Sequence, residues 1–360
     1  MTRVPSRAVE NRKEHALLRD ARAEEIVASI DYDFGRFDEL PSLTGALLRT
    51  LLFDRWVTDF LSAHPDATVV EVGTKLNTRH ERVDNSRARW FDLDLPDVIG
   101  LRRNFFTDSP RRTMTAASVT DEAWAAEVAS HAIGPYLFVA EAVLPYLHEP
   151  DVRGVIGLLA DRFPGALLAL DTAGPGFFDT QEQHDALSVV EARMHWHCPD
   201  PAQLADWRPG ARVLASHTLT SLPEELVAQL PPLLRQQMVS AIAAQRLPQA
   251  EGYRLNLLRL LTSAGTPYGR FRPCLHRVTA GTGARRASGS TARKTWRPGQ
   301  EAGLGLLTHA DARHELPKSR PRSTAGTGCA YVTRKNRPPP PVAAAERWTC
   351  SPCARSTPAR

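Results

Sequence analysis

With 360 residues, 42% of them apolar, the chain can bury a sizeable core, and by length alone it admits two domains. Its positive balance is uneven: residues 263–360 carry 18 Lys/Arg against 4 Asp/Glu, leaving 27 against 36 in residues 1–262, so the sequence pI of about 9.1 reflects the tail and does not describe the body's partners. Four of the five cysteines, Cys274, Cys329, Cys350 and Cys353, lie in that tail and give no disulfide framework, the charged amino terminus lacks the apolar stretch of a signal peptide, and no apolar run reaches bilayer-spanning length, so a cytoplasmic protein without membrane partners is expected.

Residues 1–20 are dense in charge and are expected to be loosely ordered. Apolar residues at helical spacing predict helices over 21–30 and 43–61, the second through Leu47, Leu48, Leu51, Leu52, Trp56 and Phe60. The segment between them, DYDFGRFDELP, has turn chemistry. VVEV at 69–72 is short and β-branched, as a buried parallel strand is, and a glycine turn follows it. A second strand at 88–91 ends in Asp92 and Asp94, and helix-forming residues run on from Pro96 to Phe106. Further strands are expected at 113–117, 136–140 and 166–170, separated by a helix that carries Trp124 and another over 149–163. Strand and helix alternating in this way predict an α/β, Rossmann-like, doubly wound parallel sheet.

Residues 172–197 break the rhythm and read as an insertion of loop and helix beside the ligand cleft. Beyond them, a strand at 213–219, a helix over 224–245 and a strand at 253–261 are expected, although periodicity by itself secures five strands. From 262 onward the pattern stops. The last 98 residues contain 11 prolines and 10 glycines with almost no apolar periodicity, too little to offset the entropy of ordering, so a disordered tail over 263–360 is expected after a body of 21–262.

The chemistry is legible at the first turn. Gly73 can turn the backbone at the carboxyl end of the first strand, where open α/β sheets bind ligands, and Asp94, about twenty residues on, can accept from ribose hydroxyls. A dinucleotide fingerprint would also need glycine at 75 and 78. Lys75 and Thr78 stand there, so no close approach to a pyrophosphate is provided. S-adenosylmethionine, with a ribose and no pyrophosphate, is the better-fitting cofactor.

These same residues carry a resemblance. VVEVGTKLNTR followed by WFDLDLPDVIGLRR is similar to the leucine carboxyl methyltransferase superfamily, in particular its bacterial branch of polyketide O-methyltransferases, and the similarity continues through FVAEAVLPYL, FPGALLALDT, WRPGARVL and YRLNLLRL. It covers roughly residues 21–261. The resemblance implies a class I S-adenosylmethionine-dependent methyltransferase fold with N-terminal helices and seven strands. It also implies cofactor contacts at Arg49 for the methionine carboxylate, at Glu71, Gly73 and Asp94, at Ser118 and Val119 for adenine, and at Glu141. Tyr146 is implied near the substrate entrance. Two residues depart from the family pattern: Lys75 replaces a common glycine and Asn77 a frequent aspartate, which points to cofactor crowding at 75 and a milder change at 77.

The expected reaction is O-methylation of a small polyketide-like molecule. A carboxylic acid acceptor needs no base, whereas a phenol would, and His195 and His197 are the candidates to supply one. His195, Trp196, His197 and Cys198 alternate along one short segment without further ligands, so no metal is expected. Other readings stay open: a protein's carboxyl-terminal leucine as acceptor, or an inactive relic whose basic tail binds nucleic acid. The few aromatics among the tail's arginines argue against a specific nucleic-acid site.

Overall fold

The computed structural model describes residues 3–260 apart from 38, 39, 41, 133, 189, 209, 210 and 244–247. The tail expected at 263–360 lies outside the described residues. Three helices come first, α1 (Arg3–Asn11), α2 (Ala21–Ser29) and α3 (Ser42–Ala63). The chain then alternates as β1 (Thr68–Val72), α4 (Arg79–Val83), β2 (Arg89–Asp94), α5 (Pro96–Arg102), β3 (Arg112–Ala116), α6 (Ala123–His131), β4 (Tyr136–Ala140), α7 (Glu149–Arg162) and β5 (Leu167–Ala173). It ends with α8 (Pro175–Asp179), α9 (Ala202–Asp206), β6 (Arg212–Thr218), α10 (Glu224–Gln229), α11 (Pro232–Ala243), α12 (Pro248–Gly252) and β7 (Tyr253–Arg259).

The seven strands form one sheet in the order β3-β2-β1-β4-β5-β7-β6. Strands β1 to β5 run parallel, and β7 is antiparallel to both its neighbours, β5 and β6. Side chains alternate between two covered faces, which is why these strands read as unbroken apolar runs. Val70, Val72, Phe91 and Phe138 pack with Trp124 of α6, Leu159 of α7 and Phe163 just after it, while Val69, Trp90, Leu137 and Val139 pack with Phe53, Trp56, Val57 and Phe60 of α3. Each such side chain contributes about 1.5–3 kcal/mol by leaving water.

Two expectations need correction. Residues 3–11, expected to be loosely ordered, form α1, and its Arg7 and Glu10 are buried. Their charges are neutralised within the protein instead of solvated: Arg7 Nε donates to Asp20 at 2.8 Å, and the same carboxylate caps α2 by accepting the Ala23 amide at 2.9 Å. The helix expected over 224–245 is two helices, because Pro231 and Pro232 deny the backbone donors a continuous helix needs. The insertion at 172–197 contains α8 and a 3-10 turn at Gln181–Gln183, and then runs as irregular chain.

Candidate active site

Strand order reverses between β1 and β4, and the chain leaves the carboxyl ends of both strands on opposite sides of the sheet, opening a crevice there. Gly73 turns out of β1 with φ +61°, and a Cβ at that position would lie 2.5 Å from Val143 in the loop after β4, so only glycine allows this closure. Lys75 follows with φ 50°. Its amide donates to Asp94 Oδ2 at 2.7 Å, and the Leu95 amide donates to Asp94 Oδ1 at 2.8 Å. A carboxylate has about four lone-pair positions, so Asp94 keeps acceptor capacity for ribose hydroxyls at the rim of the crevice. The Lys75 ammonium reaches across to the Ala142 carbonyl at 3.3 Å, bridging the loops that follow β1 and β4.

Beneath the crevice runs an unbroken chain of charged contacts. Arg82 joins Asp20 to Asp54 at 2.9 and 2.8 Å, and Arg79 joins Asp54 at 2.7 Å to Glu71 and Glu141. Arg49 continues it, donating from Nε to Glu141 Oε1 at 3.0 Å and from Nη1 to the Tyr253 hydroxyl at 3.2 Å. Tyr253 in turn donates to Asp171 Oδ2 at 2.7 Å, and both Asp171 oxygens accept the Ala142 amide. Burial opposes the charge on Arg49, but Tyr253, Glu141 and Asp171 outweigh it and hold the guanidinium protonated. Burial, with Asp171 beside it, pushes the Tyr253 phenol well above its ordinary range, so it remains a donor.

The sequence-derived residues are therefore not equivalent. Arg49, Gly73 and Asp94 converge on the crevice, whereas Glu141, just past β4, is fully buried beneath it with its oxygens on Arg49 and Arg79. Glu71 is buried with both oxygens on Arg79 at 2.7 and 2.8 Å, and Asn77 donates to it at 3.2 Å, so it braces the site from below; burial pushes its carboxyl up against the pull of Arg79. Ser118 opens the turn after β3, its hydroxyl 2.7 Å from that of Thr120 and its amide on Asp121 Oδ2 at 3.2 Å. Val119 is buried, and its carbonyl accepts from Trp124 Nε1. Tyr146 is half-buried in a 3-10 turn after β4 and packs beside the α3 face of the core.

His195 and His197 stand on the solvent side of their segment, while Met194, Trp196 and Cys198 point inward. The His195 ring stacks on His148 at 4.6 Å and that of His197 tilts against Phe178 at 5.3 Å. Both rings are exposed. No group of three or more His, Cys, Asp or Glu among the described residues is arranged to hold a metal ion.

Sequence reasoning missed Arg79, Asp54, Asp171 and Tyr253. Asp171 was findable, since it lies near the carboxyl end of β5 much as Asp94 ends β2. Arg79 carried no signal, because a buried helical arginine is written like a solvated one.

Sheet order, reversed last strand and acidic crevice together define a class I S-adenosylmethionine-dependent methyltransferase, and the site's donor set fits that cofactor. The chain is 31% identical over 222 residues to the tetracenomycin polyketide synthesis O-methyltransferase TcmP of Streptomyces glaucescens, covering 61% of this chain and 82% of that protein. It is 24% identical over 177 residues to the S-adenosyl-L-methionine-dependent methyltransferase dpfgK of Gibberella zeae, covering 46% and 59%. A candidate methyltransferase of known structure from Thermobifida fusca overlays with a TM-score of 0.47 at 17% identity, over 73% of this chain and 95% of that one. No protein-family profile matches the chain. The chain belongs to the O-methyltransferase family of TcmP, and its cofactor is S-adenosylmethionine. No helix among the described residues is long and apolar enough to cross a membrane.

Proposed function

We propose that the enzyme methylates a carboxyl group on a small aromatic, polyketide-like acid in the cytoplasm. The observation that carries this reading is a wall of two largely buried rings next to Arg49. Phe177 and Tyr253 pack with ring centroids 5.0 Å apart, and the Arg49 guanidinium lies 5.8 Å over the Tyr253 ring. A flat acid can lie along such a wall with its carboxylate directed at the end of β4, and Tyr146 forms part of the entrance.

In this reading Asp94 accepts from the ribose, Ser118 and Val119 border the adenine, and Arg49 receives the methionine carboxylate. Its Nη2 group has no hydrogen-bond partner among the described residues and is free for that task. The bound cofactor supplies an electrophilic methyl group on a sulfonium. A carboxylate is ionised at neutral pH, so the protein's work is orientation and exclusion of water, and no proton has to move.

Methyl transfer from labelled S-adenosylmethionine to 2-naphthoate, 2-naphthol and a peptide ending in leucine tests the reading. Transfer to 2-naphthoate alone supports it; transfer to 2-naphthol alone or to the peptide alone replaces it with phenol or protein methylation.

A further inference from the structure

We infer that His184 is the hydrogen-bond donor that holds the non-reacting oxygen of the acceptor's carboxylate, an assignment that rests on the carboxylic acid acceptor proposed above. The residue belongs to the insertion after α8, just past the 3-10 turn. Its ring packs on Phe177 at 5.4 Å, which extends the aromatic wall from Tyr253 outward. Asp185 Oδ2 accepts the Ser42 amide at 2.9 Å, and this ties the segment to the first turn of α3, two turns before Arg49.

The tautomer follows from the backbone. His184 Nδ1 accepts the Ala186 and Leu187 amides at 3.2 and 3.4 Å, so the ring hydrogen belongs on Nε2. Asp185 Oδ1, 3.0 Å from Nδ1, shares the Ala186 amide with it and accepts that amide at 2.7 Å. Burial disfavours a second ring proton and outweighs the opposite pull of Asp185, and the charge on Arg49 adds to the effect of burial. The side chain is 15% exposed, and its Nε2 has no hydrogen-bond partner among the described residues. It is a neutral N–H donor at the edge of an aromatic wall.

Neutrality suits the reaction. As a lone pair of the carboxylate forms the new O–CH3 bond and the C–S bonding pair passes to sulfur, the acceptor's negative charge and the sulfonium's positive charge both disappear. A cation clamped on the carboxylate would stabilise the starting state more than the transition state and slow the transfer. A neutral donor fixes the acid's orientation with less of that penalty.

The full chain saturated with S-adenosylhomocysteine and titrated with 2-naphthoate provides the test. His184→Phe keeps the ring on Phe177 and removes the donor, and it should raise the 2-naphthoate Kd at least about tenfold. His184→Gln, which restores an N–H, should return it to within about threefold, and neither variant should change the affinity for S-adenosylhomocysteine. In the unsubstituted protein, the 15N-histidine spectrum should show a protonated Nε2 that shifts on adding 2-naphthoate. Unchanged binding by His184→Phe, or a proton found on Nδ1, would overturn the assignment while leaving the acceptor class standing. Failure of the unsubstituted, S-adenosylhomocysteine-bound enzyme to bind 2-naphthoate would remove the acceptor class and the role of His184 with it.

Discussion

Arg79 donates from Nη2 to Glu141 Oε2 at 2.6 Å, joining the helix after β1 to the end of β4 directly beneath the crevice. Both side chains are fully buried, and Arg79 also serves Glu71 and Asp54. A buried ion pair adds little over an apolar replacement, but losing one partner strands the other's charge. Arg79→Met should therefore cost about 3–5 kcal/mol in urea unfolding, and cofactor affinity should fall with it. Double replacement with Glu141→Gln should cost less than the two single effects summed, as expected for residues in one network.

Asp94 differs in making no ion pair among the described residues and in holding two backbone amides instead. Asp94→Asn keeps the shape of the side chain but weakens acceptance from ribose hydroxyls and from the Lys75 and Leu95 amides. Calorimetry should show S-adenosylmethionine affinity reduced about 10- to 100-fold, the scale of one or two charged hydrogen bonds, and thermal unfolding should fall modestly because the new NH2 group cannot accept one of the two backbone amides.

Lys75 sets a positive side chain across the loops where a cationic sulfonium is to be held. Lys75→Met should improve binding of S-adenosylmethionine relative to the uncharged S-adenosylhomocysteine, and a ratio of the two Kd values that does not move would show that the ammonium lies outside the cofactor's field. Lys75→Gly relieves a left-handed backbone worth about 1–2 kcal/mol and adds unfolded-state freedom worth about 0.5–1 kcal/mol, so the urea midpoint should move little.

Asp92 should govern part of the acid response. Burial raises its carboxyl pKa, but Arg102 and Arg112, at 2.9 and 2.7 Å, overcome that and hold it below the ordinary aspartate range. A depressed folded pKa gives stability that is present above the unfolded value of about 3.9 and is lost as pH falls through the folded value. Urea midpoints should therefore drop below pH 4 more steeply in the unsubstituted chain than in Asp92→Asn, which should already be weaker at pH 7.

Cys198 should resist alkylation. Burial, with Asp200 nearby, pushes its thiol up to about 12, so native protein at pH 8 should react with iodoacetamide far more slowly than urea-unfolded protein. Comparable rates would mean that the segment opens readily.

The parallel half of the sheet was legible because β1, β2, β4 and β5 are buried on both faces and are written as apolar runs. Asp94 and Glu141 were legible because each ends a strand at the ligand edge. Arg7 and Arg79 were not, since their meaning depends on carboxylates from other elements that only the fold brings near. His195 drew attention through its neighbours His197 and Cys198, whereas His184, one histidine in a polar stretch, gained its surroundings from Phe177 and Arg49. The difference lies in tertiary placement, which short-range patterns do not encode.

The position of β7 has a consequence for how the enzyme comes into being. Strand β6 pairs with β7 alone, and β7 fills the place between β5 and β6 while bringing Tyr253 to Asp171. On the ribosome, β6 therefore emerges without a partner and waits about forty residues for one. Until Tyr253 arrives, Arg49 and Asp171 lack the hydroxyl that links them, so the nascent protein gains its sheet edge and its completed crevice in the same late step.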